Sequence, residues 1–438
     1  MQLYSTKNPS HKVSFKEAVF KGLPADNGLY MPTSIPKLPD SFFENIEKYS
    51  FKEIAVEVCK ALIGEDIPAA VLEGIIDDVI TFDAPLVEVE ENVFVLELFH
   101  GPSLAFKDFG ARFMARVMSY FLEQEAKEIN ILVATSGDTG SAVAQGFYKM
   151  PGIKVTILYP SSKVSEIQEK QLTTLGHNIT ALEINGTFDD CQRLVKEAFL
   201  DESLNKSMNL SSANSINISR LIPQSFYYFY AWSRLKQYGK PVVFSVPSGN
   251  FGNLCGGLIA KQMGLPIHKF IAATNANDIV PEYLASGIFT PRPSVSTVSN
   301  AMDVGNPSNF ARLLALYGND LDKMQSEIIG KSYTDEETKY TVNHVFEKTK
   351  YVLDPHGAIG YLGLKEYMEE DSDCVGAFLA TAHPSKFLEV VQSLVAAPII
   401  LPDRLQAIVN KKKSSIEMDK DFDSLKDFLL KTNVKSVK

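Results

Sequence analysis

The feature that most restricts this chain begins near Val87, where short β-branched runs alternate with stretches of helical composition. The runs occupy residues 93–98, 129–134, 155–159, 179–184, 242–246, 269–273 and 375–380. A strand that is followed by a helix before the next strand returns by a crossover, which sets the strands parallel. The expectation is an α/β protein built on parallel sheets with helices packed against them. At 438 residues the chain exceeds the size at which a single core keeps growing, so two or three packed units are expected.

Upstream of that alternation the pattern is mostly helical, with apolar residues three and four apart in 51–63 and again in 69–80. Pro32, Pro36 and Pro39 punctuate this region. The tail after Asn410 is polar enough to fray, although Phe422, Leu425, Phe428 and Leu429 mark one amphipathic C-terminal helix.

Composition enters where partners are concerned. Lys and Arg number 43 against 53 Asp and Glu, a net charge of −10, which argues against a nucleic acid or an anionic membrane as the main partner. Any anionic ligand must then be held by a local device. Cys59, Cys191, Cys255 and Cys374 stand far apart without ligand spacing, so reduced thiols and no structural metal are expected. The polar N-terminus has no hydrophobic signal core and no apolar run is long enough to span a bilayer, so a cytoplasmic protein is expected.

Three loops, each between a strand-like and a helix-like run, lie where open α/β sheets place ligands. In the first, 100–113, Lys107 sits between Phe106 and Phe109, where desolvation would favour the neutral amine that attacks an aldehyde. Alone, the segment far more often describes a solvated lysine at a helix start. The second, 131–144, breaks into Thr135, Ser136, Gly137, Asp138, Thr139 and Gly140, offering amides and hydroxyls suited to a carboxylate or phosphate. The third, 242–260, carries Ser248, Gly249, Asn250, Phe251, Gly252 and Asn253 ahead of a helix, a natural phosphate cradle. It matches neither the dinucleotide fingerprint nor the Walker loop. Each of these two loops is, by itself, also an ordinary helix-capping turn. A desolvated amine with two anion loops is what pyridoxal 5′-phosphate chemistry needs.

These residues resemble the threonine synthases. The resemblance rests on Ser-x-Ala-Phe-Lys at 103–107, Thr-Ser-Gly-Asp-Thr-Gly at 135–140 and Ser-Gly-Asn-Phe-Gly-Asn at 248–253. It extends through ANSINISRL (213–221), SNAMDVGNPSN (299–309) and TAHPSKF (381–387), and covers about residues 3–400. The N-terminal unit and the length are similar to the long form of that family. The resemblance implies a tryptophan-synthase-β-like fold with two open, twisted, mostly parallel sheets. It further implies a mainly helical domain at 1–90, a Schiff-base and substrate-carboxylate domain at 91–215, and a cofactor-phosphate domain at 216–438.

The implied activity converts O-phospho-L-homoserine and water to L-threonine and phosphate, in a monomer or simple homodimer. Lys107 would be the Schiff-base lysine, Gly249, Asn250, Phe251, Gly252 and Asn253 the cofactor-phosphate residues, and Thr381 the hydroxyl facing the pyridine nitrogen. Ser136 and Thr139 would meet the substrate carboxylate, and Ser215, Asn217 and Arg220 its phosphate. Asp138 stands where many relatives carry an Asn facing the cofactor's phenolic oxygen. A carboxylate there repels a phenolate unless one of the two is protonated. His356 and His383, each beside a proline, are expected to be structural. A serine or threonine dehydratase would share Lys107 and the cofactor loop but needs no Arg220, and a nucleotide-binding regulatory protein would use only the glycine-rich loops.

Overall fold

The computed structural model describes residues 1–125, 128–135 and 137–434. Two sheets organise the chain. One has six strands in the order Ile328–Ser332, Ile267–Thr274, Val242–Pro247, Val375–Ala380, Val93–Glu97 and Leu86–Glu90. All neighbours are parallel except the last pair. The other has five parallel strands in the order Ile416–Asp419, Ile179–Asn185, Ile153–Pro160, Ile129–Ala134 and Leu210–Ser212. The inner strands Ile129–Ala134, Val242–Pro247 and Val375–Ala380 are buried along their whole length. That explains why they read as unbroken apolar runs rather than alternating ones.

The first strands off the N-terminal region, Leu86–Glu90 and Val93–Glu97, belong to the six-stranded sheet with strands beyond residue 240. The last strand, Ile416–Asp419, returns to the five-stranded sheet. The sheets therefore do not follow the sequence boundary near residue 215.

The N-terminal region contains the expected helices, Phe51–Ile63 and Ala69–Val79, the first closed by a capping box between Ser50 and Glu53. It also forms a three-stranded antiparallel sheet from Gln2–Ser5, Asn8–Ser14 and Tyr30–Pro32. The edge strand Asn8–Ser14 is mostly exposed, so no alternation of apolar residues announces it.

The tail is ordered rather than frayed. Lys413 bridges Glu169 at 2.7 Å and Glu183 at 2.6 Å. The helix Phe422–Val434 buries Leu425 and Leu429 against the five-stranded sheet and the helix Phe188–Leu200. All four cysteines are free and buried. Among the described residues no helix is long and apolar enough to cross a membrane.

Candidate active site

Three neighbouring parallel strands, Val242–Pro247, Val375–Ala380 and Val93–Glu97, end on the same side of the six-stranded sheet. Their loops carry the 248–253 segment, Thr381 and Lys107. The lysine loop is knitted to the Thr381 loop by backbone bonds. Leu98 N donates to Ala380 O (3.0 Å), Phe106 N to Thr381 O (2.9 Å) and His383 N to Leu104 O (3.1 Å). Ala105 and Ala382 form a bridge between them. A second clasp closes the loop on itself: Asp108 Oδ2 accepts from Ser103 N at 2.8 Å. The Asp108 carboxyl is fully buried with Oδ1 unpartnered among the described residues, and burial pushes it up to about 6.

Lys107 opens the helix Lys107–Glu125 and is half-buried, its Nζ 5.7 Å from the centre of the Phe106 ring. Burial lowers its amine to about 8, with Asp138 opposing and Arg220 and Lys386 assisting. Phe109 does not flank the amine. It faces the other way, into an aromatic group with Phe51, Phe82 and Tyr227, because residues two apart on a helix point to different sides.

The facing loop follows Ile129–Ala134 in the other sheet. Thr135 Oγ1 accepts from Gly137 N (3.0 Å) and Gly140 N (2.9 Å), which fixes the start of the helix Asp138–Gly146. A Cβ at Gly137 would lie 2.7 Å from Gln168 Nε2 and would push that amide away from Asp138. Asp138 accepts from that Nε2 at 3.0 Å and pairs with Lys386 Nζ at 2.5 Å. Burial pushes the Asp138 carboxyl upward, but the ammonium groups of Lys386 and Lys107 outweigh it and hold it at about 2. The carboxylate is thus ionised and neutralised by a second lysine that sequence reasoning missed, although it lies within the 381–387 motif. Ser136 lies outside the described residues. Thr139 is half-buried, and its hydroxyl makes no hydrogen bond to protein among the described residues.

In the third loop Phe251 takes a left-handed conformation (φ 59°) and caps the helix Gly252–Gln262. The first intrahelical acceptor is used by Cys255 N, bonded to Phe251 O at 3.0 Å, so the amides ahead of it head the helix without one. Gly249 has no room for a side chain, because a Cβ would lie 2.6 Å from Met302 Cα. Asn250 is occupied: its Oδ1 accepts from Ser308 N (2.6 Å) and its carbonyl from Asn309 Nδ2 (2.9 Å). Asn253 Oδ1 is 2.7 Å from both the Tyr227 and Tyr228 hydroxyls, while its buried Nδ2 has no acceptor among the described residues. An orphaned amide donor beside free helix-start amides fits the phosphate of pyridoxal phosphate. Thr381 is buried and makes no side-chain hydrogen bond among the described residues, which leaves its hydroxyl for a ligand.

The expected substrate cluster divides. Arg220 is 1% exposed, and its Nη1 donates to Ala213 O at 2.6 Å. Its Nε has no acceptor among the described residues, and only Asp108 offers it a favourable charge. Ser215 is half-buried in the turn ahead of it. Asn217, by contrast, is consumed by the fold. Its Nδ2 donates to Val19 O (2.9 Å) and its Oδ1 accepts from Ser219 N and Oγ (3.1 and 2.7 Å). The expected substrate residue thus serves as a helix cap tied to the N-terminal region. A capping residue and a ligand both want a short polar side chain at a helix start, so sequence does not separate them.

Both histidines hold structure. His356 Nδ1 is 2.6 Å from Asp354, and its Nε2 accepts from Ala301 N at 3.3 Å. His383 caps the 3-10 helix Pro384–Phe387 that carries Lys386, accepting from Ser385 N at 3.1 Å. Two surface cavities, lined by Phe20, Leu122 and Met208 and by Phe51, Phe82 and Tyr230, lie away from these loops.

Sequence models of three families match the chain. One, pyridoxal-phosphate dependent enzyme, covers residues 81–378, so fold and site are those of a pyridoxal-phosphate-dependent enzyme. The others, threonine synthase N terminus and threonine synthase, C-terminal, cover 2–80 and 357–429. The threonine synthase of Haemophilus influenzae is 46% identical over 436 residues, 99% of this chain and 100% of that protein. The crystal structure of threonine synthase from Escherichia coli is 42% identical with a TM-score of 0.92, covering 99% of this chain and 100% of that one. The PLP-bound threonine synthase from Brucella melitensis is 36% identical with a TM-score of 0.94, covering 99% of both. The chain belongs to the threonine synthase family. The nucleotide-binding and dehydratase alternatives are thereby set aside.

Proposed function

We infer that this chain converts O-phospho-L-homoserine and water to L-threonine and inorganic phosphate. The observation that carries this reading is the Arg220 guanidinium, buried within electrostatic reach of Lys107, whose Nε has no partner and which has no carboxylate at contact distance among the described residues. A buried cation of this kind is costly without an anion. A phosphorylated substrate supplies one, and an Arg fork suits phosphate geometry.

Bound pyridoxal phosphate supplies the electron sink that makes the substrate's Cα and Cβ protons acidic. Lys107 holds the cofactor and, freed by the substrate, carries protons to and from those carbons. Its amine, at about 8, is close to the ideal for proton transfer near neutral pH. The 249–253 loop holds the cofactor phosphate, with Asn253 Nδ2 as one donor, and the Thr381 hydroxyl meets the pyridine nitrogen. Being neutral, that hydroxyl does not hold a proton on the ring as a carboxylate would. Ser136 and Thr139 take the substrate carboxylate. Ser215 and Arg220 take its phosphate and stabilise the charge on the leaving group. The reaction takes place in the cytoplasm, in a monomer or simple homodimer. Incubating the purified protein with O-phosphohomoserine tests the reading: threonine and phosphate should appear one for one. Phosphate without threonine, or 2-oxobutyrate in its place, would refute it.

A further inference from the structure

Lys386 is 2% exposed, and its ammonium is fixed from both sheets: Asp138 Oδ1 at 2.5 Å from one, the Ser103 carbonyl at 2.9 Å from the other. The same carbonyl accepts from Gln171 Nε2 at 3.0 Å, so the lysine sits in a built polar seat rather than a chance contact. The short helix that carries it is held by His383, whose ring accepts from Ser385 N and lies edge-on to Phe99. Three charged groups act on the Lys107 amine: Asp138 favours its protonated form, and Arg220 and Lys386 oppose it. Without Lys386, Asp138 would stand as a bare carboxylate, which binds a proton onto Lys107 and keeps it from acting as a nucleophile.

We propose that Lys386 is a positioning residue of the reaction: its ammonium neutralises Asp138 and ties that carboxylate to the Ser103 carbonyl of the lysine loop, so that Asp138 is not left bare to hold a proton on the Lys107 amine. The Asp138 carboxylate, anomalous beside a phenolic oxygen, is acceptable because it is already paired. This inference rests on Lys107 being the cofactor lysine.

The test uses the full-length chain stripped of cofactor. Pyridoxal phosphate is added across a pH series, captured with borohydride, and the modified Lys107 peptide is quantified by mass spectrometry. The capture rate follows the unprotonated amine, with a midpoint near 8 in the unaltered chain. Lys386→Met should raise that midpoint by roughly half a unit or more, because it uncovers the Asp138 charge that favours the protonated amine. Asp138→Asn, which leaves Lys386 uncompensated, should lower it. These opposite displacements are not produced by general loosening of the site. A midpoint unmoved in a folded Lys386→Met chain overturns the inference. If Lys386→Met does not fold, Asp138→Asn decides alone, and an unmoved or raised midpoint overturns it. Capture persisting at the same rate in Lys107→Ala defeats the underlying reading instead.

Discussion

Arg220 brings a full charge into the interior, and burial lowers it to about 10, still charged at neutral pH. A group that costs stability and is kept points to a ligand. Arg220→Met should therefore lower kcat/KM for O-phosphohomoserine by roughly one to two orders of magnitude, since a charged hydrogen bond contributes about 1.5–3 kcal/mol. Cofactor content and thermal midpoint should hold, because the buried charge is removed along with its function. A fall in midpoint to match the fall in activity would make Arg220 a structural residue.

Asp108 presents the opposite sign. Its folded-state value is raised to about 6, so the stability it contributes is present below the ordinary carboxylate range and lost as pH rises through 6. Relative to Asp108→Asn, the unaltered chain should lose about 1 kcal/mol between pH 5 and 8. Denaturation midpoints at the two pH values measure this, and an unchanged gap between the two proteins contradicts it. Lys107 and Arg220 were legible from their motifs. Lys386 was not, because nothing local in the sequence says that its partner is Asp138, and charge pairing of this kind exists only after two sheets have come together.

At the scale of elements, the 248–253 loop is shaped by a close approach. A Cβ on Gly249 would stand 2.6 Å from the Met302 backbone, so Gly249→Ala should displace the 300–302 turn or the loop itself. We expect at least a tenfold loss of cofactor affinity, about 1.4 kcal/mol, read by equilibrium dialysis. Retained affinity would separate this loop from the cofactor. Individual strands and helices here were legible because burial on both faces leaves continuous apolar runs; Ile129–Ala134 and Val375–Ala380 match the sequence reading end to end. Strand order was not. The pairing of Val93–Glu97 with Val375–Ala380 joins segments remote in the chain, and no periodicity encodes a neighbour. The Asn8–Ser14 strand was missed for the reverse reason, since an exposed edge has no buried face to leave its mark.

For the whole molecule, the closing segment matters more than its polar composition suggests. Ending the chain at Asn410 would remove the Lys413 bridges, the strand Ile416–Asp419 and the helix carrying Leu425 and Leu429. The two buried leucines alone contribute about 1.5–3 kcal/mol each. The truncated protein should melt lower and bind a hydrophobic dye, yet still take up cofactor at low temperature, since every residue assigned to the cofactor lies upstream. Unchanged melting would show the segment to be decorative.

Lys107, proposed as the anchor, the loop proposed for the cofactor phosphate and Thr381 hang from three adjacent strands of one sheet, whereas the loop that carries Asp138 and Thr139 hangs from the other. The catalyst is therefore a toolholder and an exchangeable bit. Natural variation or a protein engineer can rewrite the proposed recognition half through Thr139, Ser215 and Arg220, leaving Asp138 and its lysine in place, and obtain a different substrate range without rebuilding the bench on which the cofactor is clamped.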